Sequence, residues 1–345
     1  MDALGWDEHD IVFVSGDAYV DNHSFAASIL GRWLEHHGFK VAILAQPDWK
    51  SAAPWRELGA PKLFYAVSAG AMDSMINHYT ANRKRRNADA YSPGGAIERR
   101  PDRANAVYAQ RCREAFKGVP VVAGGVEASL RRVSHYDYWS DKVMPSSLVS
   151  SKADLVAYGN GEASILEIAT RLRDGESVRD LRDMRGVAYL LGKKEALPDH
   201  QWHDANCDNQ TVVLPSHEDV VRDDDLFARA TRILHRETNP LNARRLVQAC
   251  GDRRVVINPP PLPVSESSLD AVYDLPYVRT PHPRYASAGP IPASPTHTGP
   301  ADVRPLRLAR VPSRPRPRPR PEGVWAGRGK GGPVVAGSIG RLAKR

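Results

Sequence analysis

Between residues 11 and about 190, short β-rich apolar runs alternate with stretches of helical periodicity, and no other feature restricts the possible fold so strongly. The runs are "DIVFVSG", "KVAILAQPD", "KLFYAVSAG", "VPVVAGG" and "ADLVAYGNGE". After the first, Phe25, Ile29, Trp33 and Leu34 form a helical stripe that Gly38 is placed to cap. "MDSMINHYTANRKRR", a segment around residues 104–117 and "ASILEIATRLRDGE" read as further helices. This order predicts right-handed βαβ crossovers and an α/β fold: an open, mostly parallel five-stranded sheet with helices on both faces, Rossmann-like in plan.

The pattern changes twice. Residues 191–285 read as an extended connector, with a polar excursion, two short helices broken at Pro240, and the strand "RRVVIN" running into a proline-rigid segment. From residue 286 the composition narrows to Pro, Arg, Gly, Ala and Ser, including "PSRPRPRPRPEG". Such a stretch has too few apolar groups to offset the entropy of ordering, so a disordered tail with polyproline II character is predicted for 286–345. Charge divides at the same place: the tail holds twelve Lys/Arg against Asp302 and Glu322, while the first 285 residues carry 36 bases and 38 acids. The body is therefore near neutral, and only the tail is suited to nonspecific nucleic-acid binding by counterion release. Cys112, Cys207 and Cys250 are isolated, which excludes a disulfide framework and a locally spaced zinc site. With an acidic start and no long apolar run, the chain reads as soluble and cytoplasmic, with no membrane partner.

In an open parallel sheet, ligands bind beyond the carboxyl ends of the strands. Here those ends carry Gly16-Asp17, Gly124-Gly125 with Glu127, and Gly159, Gly161 and Glu162, while Asp73 follows the third strand. Glycines admit a close-lying ligand, and carboxylates suit hydroxyls, amides or cations rather than a bare phosphate. The same acids could simply complement helix dipoles. A dinucleotide fingerprint is absent after the first strand. Asp21 and His23 in "DNHSFA" match part of a corrinoid-binding D-x-H-x-x-G loop, but Ala26 stands where its glycine would be. "HYDYW", residues 135–139, is a candidate stacking or lid element, with a partly buried aromatic cluster as the alternative. "NRKRR" reads as the cationic end of a helix or as a nucleic-acid patch.

Long strings of the sequence, among them "SAGAMDSMINHYTANRKRR", "VPVVAGGVEASLRRVSHYDYWSDKV", "SKADLVAYGNGE", "GDRRVVINPPPLPVS" and "LPYVRTPHPRY", resemble the N-terminal region of YgiQ-like radical SAM proteins over nearly all of residues 1–285. The resemblance implies a cobalamin-binding-domain-like α/β domain over 1–190, then a connector leading into a radical SAM barrel. That barrel would hold a [4Fe-4S] cluster on C-x-x-x-C-x-x-C and bind S-adenosylmethionine. The triad is missing here, so no cofactor is predicted for this chain, although the sequence leaves a bound cobalamin open, and it is expected to be catalytically silent alone. Departure from the family after Tyr285 suggests a shifted reading frame, since Pro, Arg, Ala and Gly all have G/C-rich codons; a genuine short form with a basic tail is the alternative. The start also reads as shorter than in relatives. The expected role is that of an accessory domain that covers the barrel and helps enclose S-adenosylmethionine, a substrate or a corrinoid. The alternatives are a small-ligand module using Gly16, Asp17, Asp21, Gly124, Gly125, Glu127, Gly159, Gly161 and Glu162, or nonspecific nucleic-acid binding through the tail. No specific nucleic acid is expected as a partner, and neither the small molecule nor the oligomeric state is fixed by the sequence.

Overall fold

The apolar runs become strands because every position can be buried. β1 (Ile11–Ser15) and β3 (Phe64–Ser68) are buried at all five residues, as befits central strands of a parallel sheet covered on both faces. The computed structural model describes residues 5–199, 202 and 210–294. Around β1 and β3 lie β2 (Val41–Ala45), β4 (Val121–Gly124) and β7 (Leu155–Ala157), in the order β2-β1-β3-β4-β7, all parallel. Side chains alternate across this sheet. Ile11 and Phe13 enter a core with Trp33, Leu34, Ile165 and Ile168, whereas Val12 and Val14 enter the opposite core with Trp55, Tyr108, Cys112 and Leu148. The helix Ala104–Ala115 buries Ala104, Tyr108 and Cys112, one turn apart, against that second face.

The α/β class and the mostly parallel sheet are as the sequence predicts; the strand count is not. The sheet has nine strands, continuing from β7 through β8 (Val187–Leu191), β11 (Arg253–Ile257), β10 (Arg245–Cys250) and β9 (Thr211–Leu214). β8 and β11 are antiparallel to their neighbours on both sides, and β9 is parallel to β10. Residues within 191–285 are thus integral to the sheet rather than an extended connector. One of the two short helices expected there is also a strand: the helix Asp224–Arg236 ends, Asn239-Pro240 turns the chain, and "RLVQAC" pairs as β10. A separate hairpin joins β5 (His135–Asp137) to β6 (Lys142–Met144).

Two further differences bear on the site. The helix expected through "NRKRR" spans only Ser74–His78, because Tyr79 turns extended and bridges Arg85, with Arg83 at φ +58° closing the turn. The cations therefore lie on a loop, not at a helix end. Residues 286–294 are also ordered against the body: Ile291 is fully buried, and the Ala293 amide donates to the Ala90 carbonyl at 2.8 Å. The rest of the expected disordered tail, residues 295–345, lies outside the described residues, as does Cys207. Residues 278–282 return to the loop after β1. There Val20 bridges Pro281, and Asp21 exchanges backbone hydrogen bonds with Arg279 and Thr280. No described helix is long and apolar enough to cross a membrane.

Candidate functional site

The order β2-β1-β3 makes the gap between the ends of β1 and β3 the switch point at which a doubly wound sheet normally receives a ligand. Here the chain's own Arg100 occupies it. Its side chain is fully buried, and Nη1 donates to Asp17 at 2.7 Å and to the Ala69 carbonyl at 2.9 Å. Nη2 donates to Asp89 at 3.0 and 3.3 Å. Asp17 also accepts from the Ala71 amide at 2.6 Å, and Asp89 accepts from the Tyr91 amide and the Ser92 hydroxyl, each at 2.9 Å. Gly16 packs so closely on the Ala69 carbonyl that a Cβ there would overlap it. Gln46, after β2, donates to the Gly16 carbonyl at 3.0 Å and completes the plug.

The neighbouring acids are also engaged. Glu127 is buried on the short helix Gly125–Leu130 after Gly124; it accepts from the Ser74 amide at 2.8 Å and the Asn105 amide at 3.0 Å. Arg131 lies 2.7 Å from Asp73 and 3.6 Å from Glu127, while Asp73 caps the Ser74–His78 helix. Asp21 binds Arg32 at 2.8 Å, the Ser28 hydroxyl at 3.0 Å and the Val278 amide at 2.9 Å. His23 packs instead against Tyr273 and Tyr277. The Asp–His pair needed to orient a corrinoid's lower ligand is not assembled, so these residues do not fit that cofactor.

Burial alone would raise Asp89, yet the Arg100 charge and the Tyr91 and Ser92 hydrogen bonds outweigh it and hold this carboxyl below its usual range. Asp21 is lowered in the same way by Arg32, Val278 and Ser28, and Asp137 by Ser140 and Arg103. Burial wins at Asp17, which is raised. A carboxyl lowered on folding contributes stability above its unfolded value and loses it as pH falls through the folded one; Asp17 acts in the opposite sense but is outnumbered. His9, His23 and His135, lowered chiefly by burial, lose stability as pH falls through about 6.5, so the melting temperature should decline from about pH 7 downward and fall further below about pH 4. A melting temperature that stays constant to pH 3 in calorimetry would contradict this balance.

Two cavities stand out among the described residues. A groove of about 460 Å³ opens beyond β3 and β4, with Asp73, Ile76, Leu130, His135, Tyr136 and Tyr138 among its lining residues. Tyr79 and Trp139, also in its wall, stack at 3.9 Å between centroids, and Arg103 holds Asp137 at 2.5 Å. Burial lowers the His135 pKa. A larger cavity of about 870 Å³ runs beside the helix Gly161–Arg173, lined by Trp33, Glu162, Leu166, Leu262 and Val272. Glu162 has one buried carboxylate oxygen without a hydrogen-bond partner, Gly159 abuts Pro261, and Gly161 abuts Leu30. The structure therefore does not bring all nine expected ligand residues to one pocket. Gly16 and Asp17 belong to the plugged switch point, Gly124, Gly125 and Glu127 to the wall between β3 and β4, Asp21 to the return segment, and Gly159, Gly161 and Glu162 to the larger cavity.

Sequence reasoning did not single out Arg100 and Asp89. Both lie in the irregular stretch between residues 87 and 103, where periodicity marks nothing. Nor do the two described thiols fit an iron–sulfur cluster. Cys112 is buried inside a helix, where burial pushes its thiol up, and Cys250 ends β10. Among the described residues, no three His, Cys, Asp or Glu side chains group to hold a metal.

The family model described as Radical SAM N-terminal matches residues 1–297. A UPF0313 protein of Bradyrhizobium diazoefficiens is 56% identical over 297 residues, covering 84% of this chain and 44% of its own length. The UPF0313 protein YgiQ of Escherichia coli is 48% identical over 332 residues, covering 84% and 45%. A solved structure of the radical S-adenosylmethionine methyltransferase TsrM from Kitasatospora setae aligns with 52% of this chain and 28% of that one, at 18% identity and a TM-score of 0.35, too slight a likeness to carry an argument. The chain spans less than half the length of these curated relatives. The family match ends at residue 297, beyond the departure expected after Tyr285. With the sheet, the glycine-acid edge and the "HYDYW" hairpin all inside the matched region, the chain belongs to the radical SAM N-terminal family of UPF0313/YgiQ-like proteins.

Proposed function

We propose that this chain is the accessory domain of a radical SAM protein, a preorganised platform that closes over a catalytic half and holds no cluster of its own. The observation that carries this reading is the filled switch point. Arg100 spends its guanidinium on Asp17, Ala69 and Asp89, so the crevice that such a sheet would offer a cofactor serves internal rigidity instead. Asp21 and Glu127 are committed to internal partners as well, leaving the edge poor in free acid–base groups. In the intact relatives, the [4Fe-4S] cluster and S-adenosylmethionine would belong to the other half, and this domain would cover them.

Anaerobic reconstitution of the chain with ferrous iron and sulfide tests the reading. The expected product is colourless, with no stoichiometric iron and no cleavage of S-adenosylmethionine. Recovery of about four irons per chain, together with cleavage, would overturn it.

A further inference from the structure

We propose that the groove between the Ser74–His78 helix, the Gly125–Leu130 helix and the β5–β6 hairpin is the seat on which the remaining half of the UPF0313 relatives docks. The inference rests on the accessory-domain reading and assigns it a surface. Twelve large apolar side chains are exposed among the described residues, and four of them, Ile76, Leu130, Tyr136 and Tyr138, line this one groove at 47–58% exposure. Val126, also exposed, stands one turn before Leu130. A contiguous apolar patch with a polar rim marks an interaction surface, whereas isolated exposed side chains do not.

The wall of the groove is held in place without a partner. Asp73 is fixed by Arg131, Asp137 by Arg103, and Tyr79 by its stack on Trp139 and its 2.8 Å hydrogen bond to Asp102. A preorganised surface loses little entropy on association. The groove's two carboxylates are thus each paired with an arginine. Arg86 is spent on the Ile76 and Tyr79 carbonyls, and Arg83 lies over the Tyr138 ring. A lining dominated by aromatic and aliphatic side chains favours a protein surface.

Chain geometry identifies the occupant. Ser294, the last described residue before the end of the family match, lies at the same carboxyl edge of the sheet, where Ala293 bonds Ala90 and Gly94 bonds Pro290. Relatives carry more than half their length outside the matched region. Chain continuing past Ser294 in the relatives therefore leaves from the carboxyl edge onto which the groove also opens.

Hydroxyl-radical footprinting with mass spectrometry tests this on two proteins: the native chain, and a chimera in which residues 1–297 are followed by the remaining length of the Bradyrhizobium relative. Leu130, Tyr136 and Tyr138 should oxidise several-fold more slowly in the chimera, with Val213 and Val221 unchanged. Buried Tyr108 and Tyr189, slow in both, establish that the domain is folded. Protection on another face would overturn the groove while leaving the accessory-domain reading standing; no protection anywhere would overturn both. A concentration-dependent dimer of the native chain that protects Tyr138 would assign the groove to a second copy and overturn the proposal.

Discussion

Replacing Arg100 with alanine is expected to destabilise the domain by about 3–5 kcal/mol, because removing one member of a buried ionic cluster strands its partners. Two carboxylates, Asp17 and Asp89, would be left in a site with almost no access to water, and the Ala69 carbonyl would lose a donor. Stabilities of globular domains are of order 5–15 kcal/mol, so this one substitution can remove a large share. Arg100→Lys should recover only part of the loss, since a single ammonium cannot fork between two carboxylates and a carbonyl as a guanidinium does. Adding Asp17→Asn and Asp89→Asn to the alanine variant should restore some stability, because neutral amides are cheaper to bury than unpaired charges. Guanidinium unfolding followed by circular dichroism measures all of these, and a loss under about 1 kcal/mol for Arg100→Ala would mean that the cluster is solvated and weak.

Gly70→Ala should do comparable damage for a different reason. Gly70 sits at φ +108°, outside the range that side chains favour, and a Cβ placed there would overlap the Asp17 carboxylate and crowd Arg100. Backbone strain of this kind costs about 1–3 kcal/mol, and displacing the ionic cluster adds to it. Gly175→Ala separates the two effects. Gly175 has φ +96° but nothing within 4 Å of the added carbon, so it should show the strain alone. Equal losses for the two alanine variants would refute the clash at Gly70.

The parts of the fold legible in the sequence were those in which burial imposes a period. The five parallel strands and the helices Ala26–His36 and Gly161–Arg173 stand where their apolar patterns put them. β10 escaped because "RRLVQAC" follows a helix closely and carries too short an apolar run to separate strand from helix. "NRKRR" misled because helical propensity is a weak prior, and Arg83 in a left-handed turn leaves no trace in composition. For the site, the glycine-acid edge was legible but its use was not. That Asp17 faces an arginine 83 residues away, rather than a ligand, depends on how an irregular loop crosses the sheet. Local pattern does not encode such a crossing.

The return of residues 278–282 to the loop after β1 has a consequence for biosynthesis. Val20, Phe25, Tyr285 and Ile291 form one small apolar cluster, and the Val278 amide reaches Asp21 across 257 positions. Chains fold as they emerge from the ribosome, N-terminal parts first. Until nearly three hundred residues have been translated, the nascent polypeptide must carry its opening loop unfastened, with greasy side chains bare to chaperones and proteases.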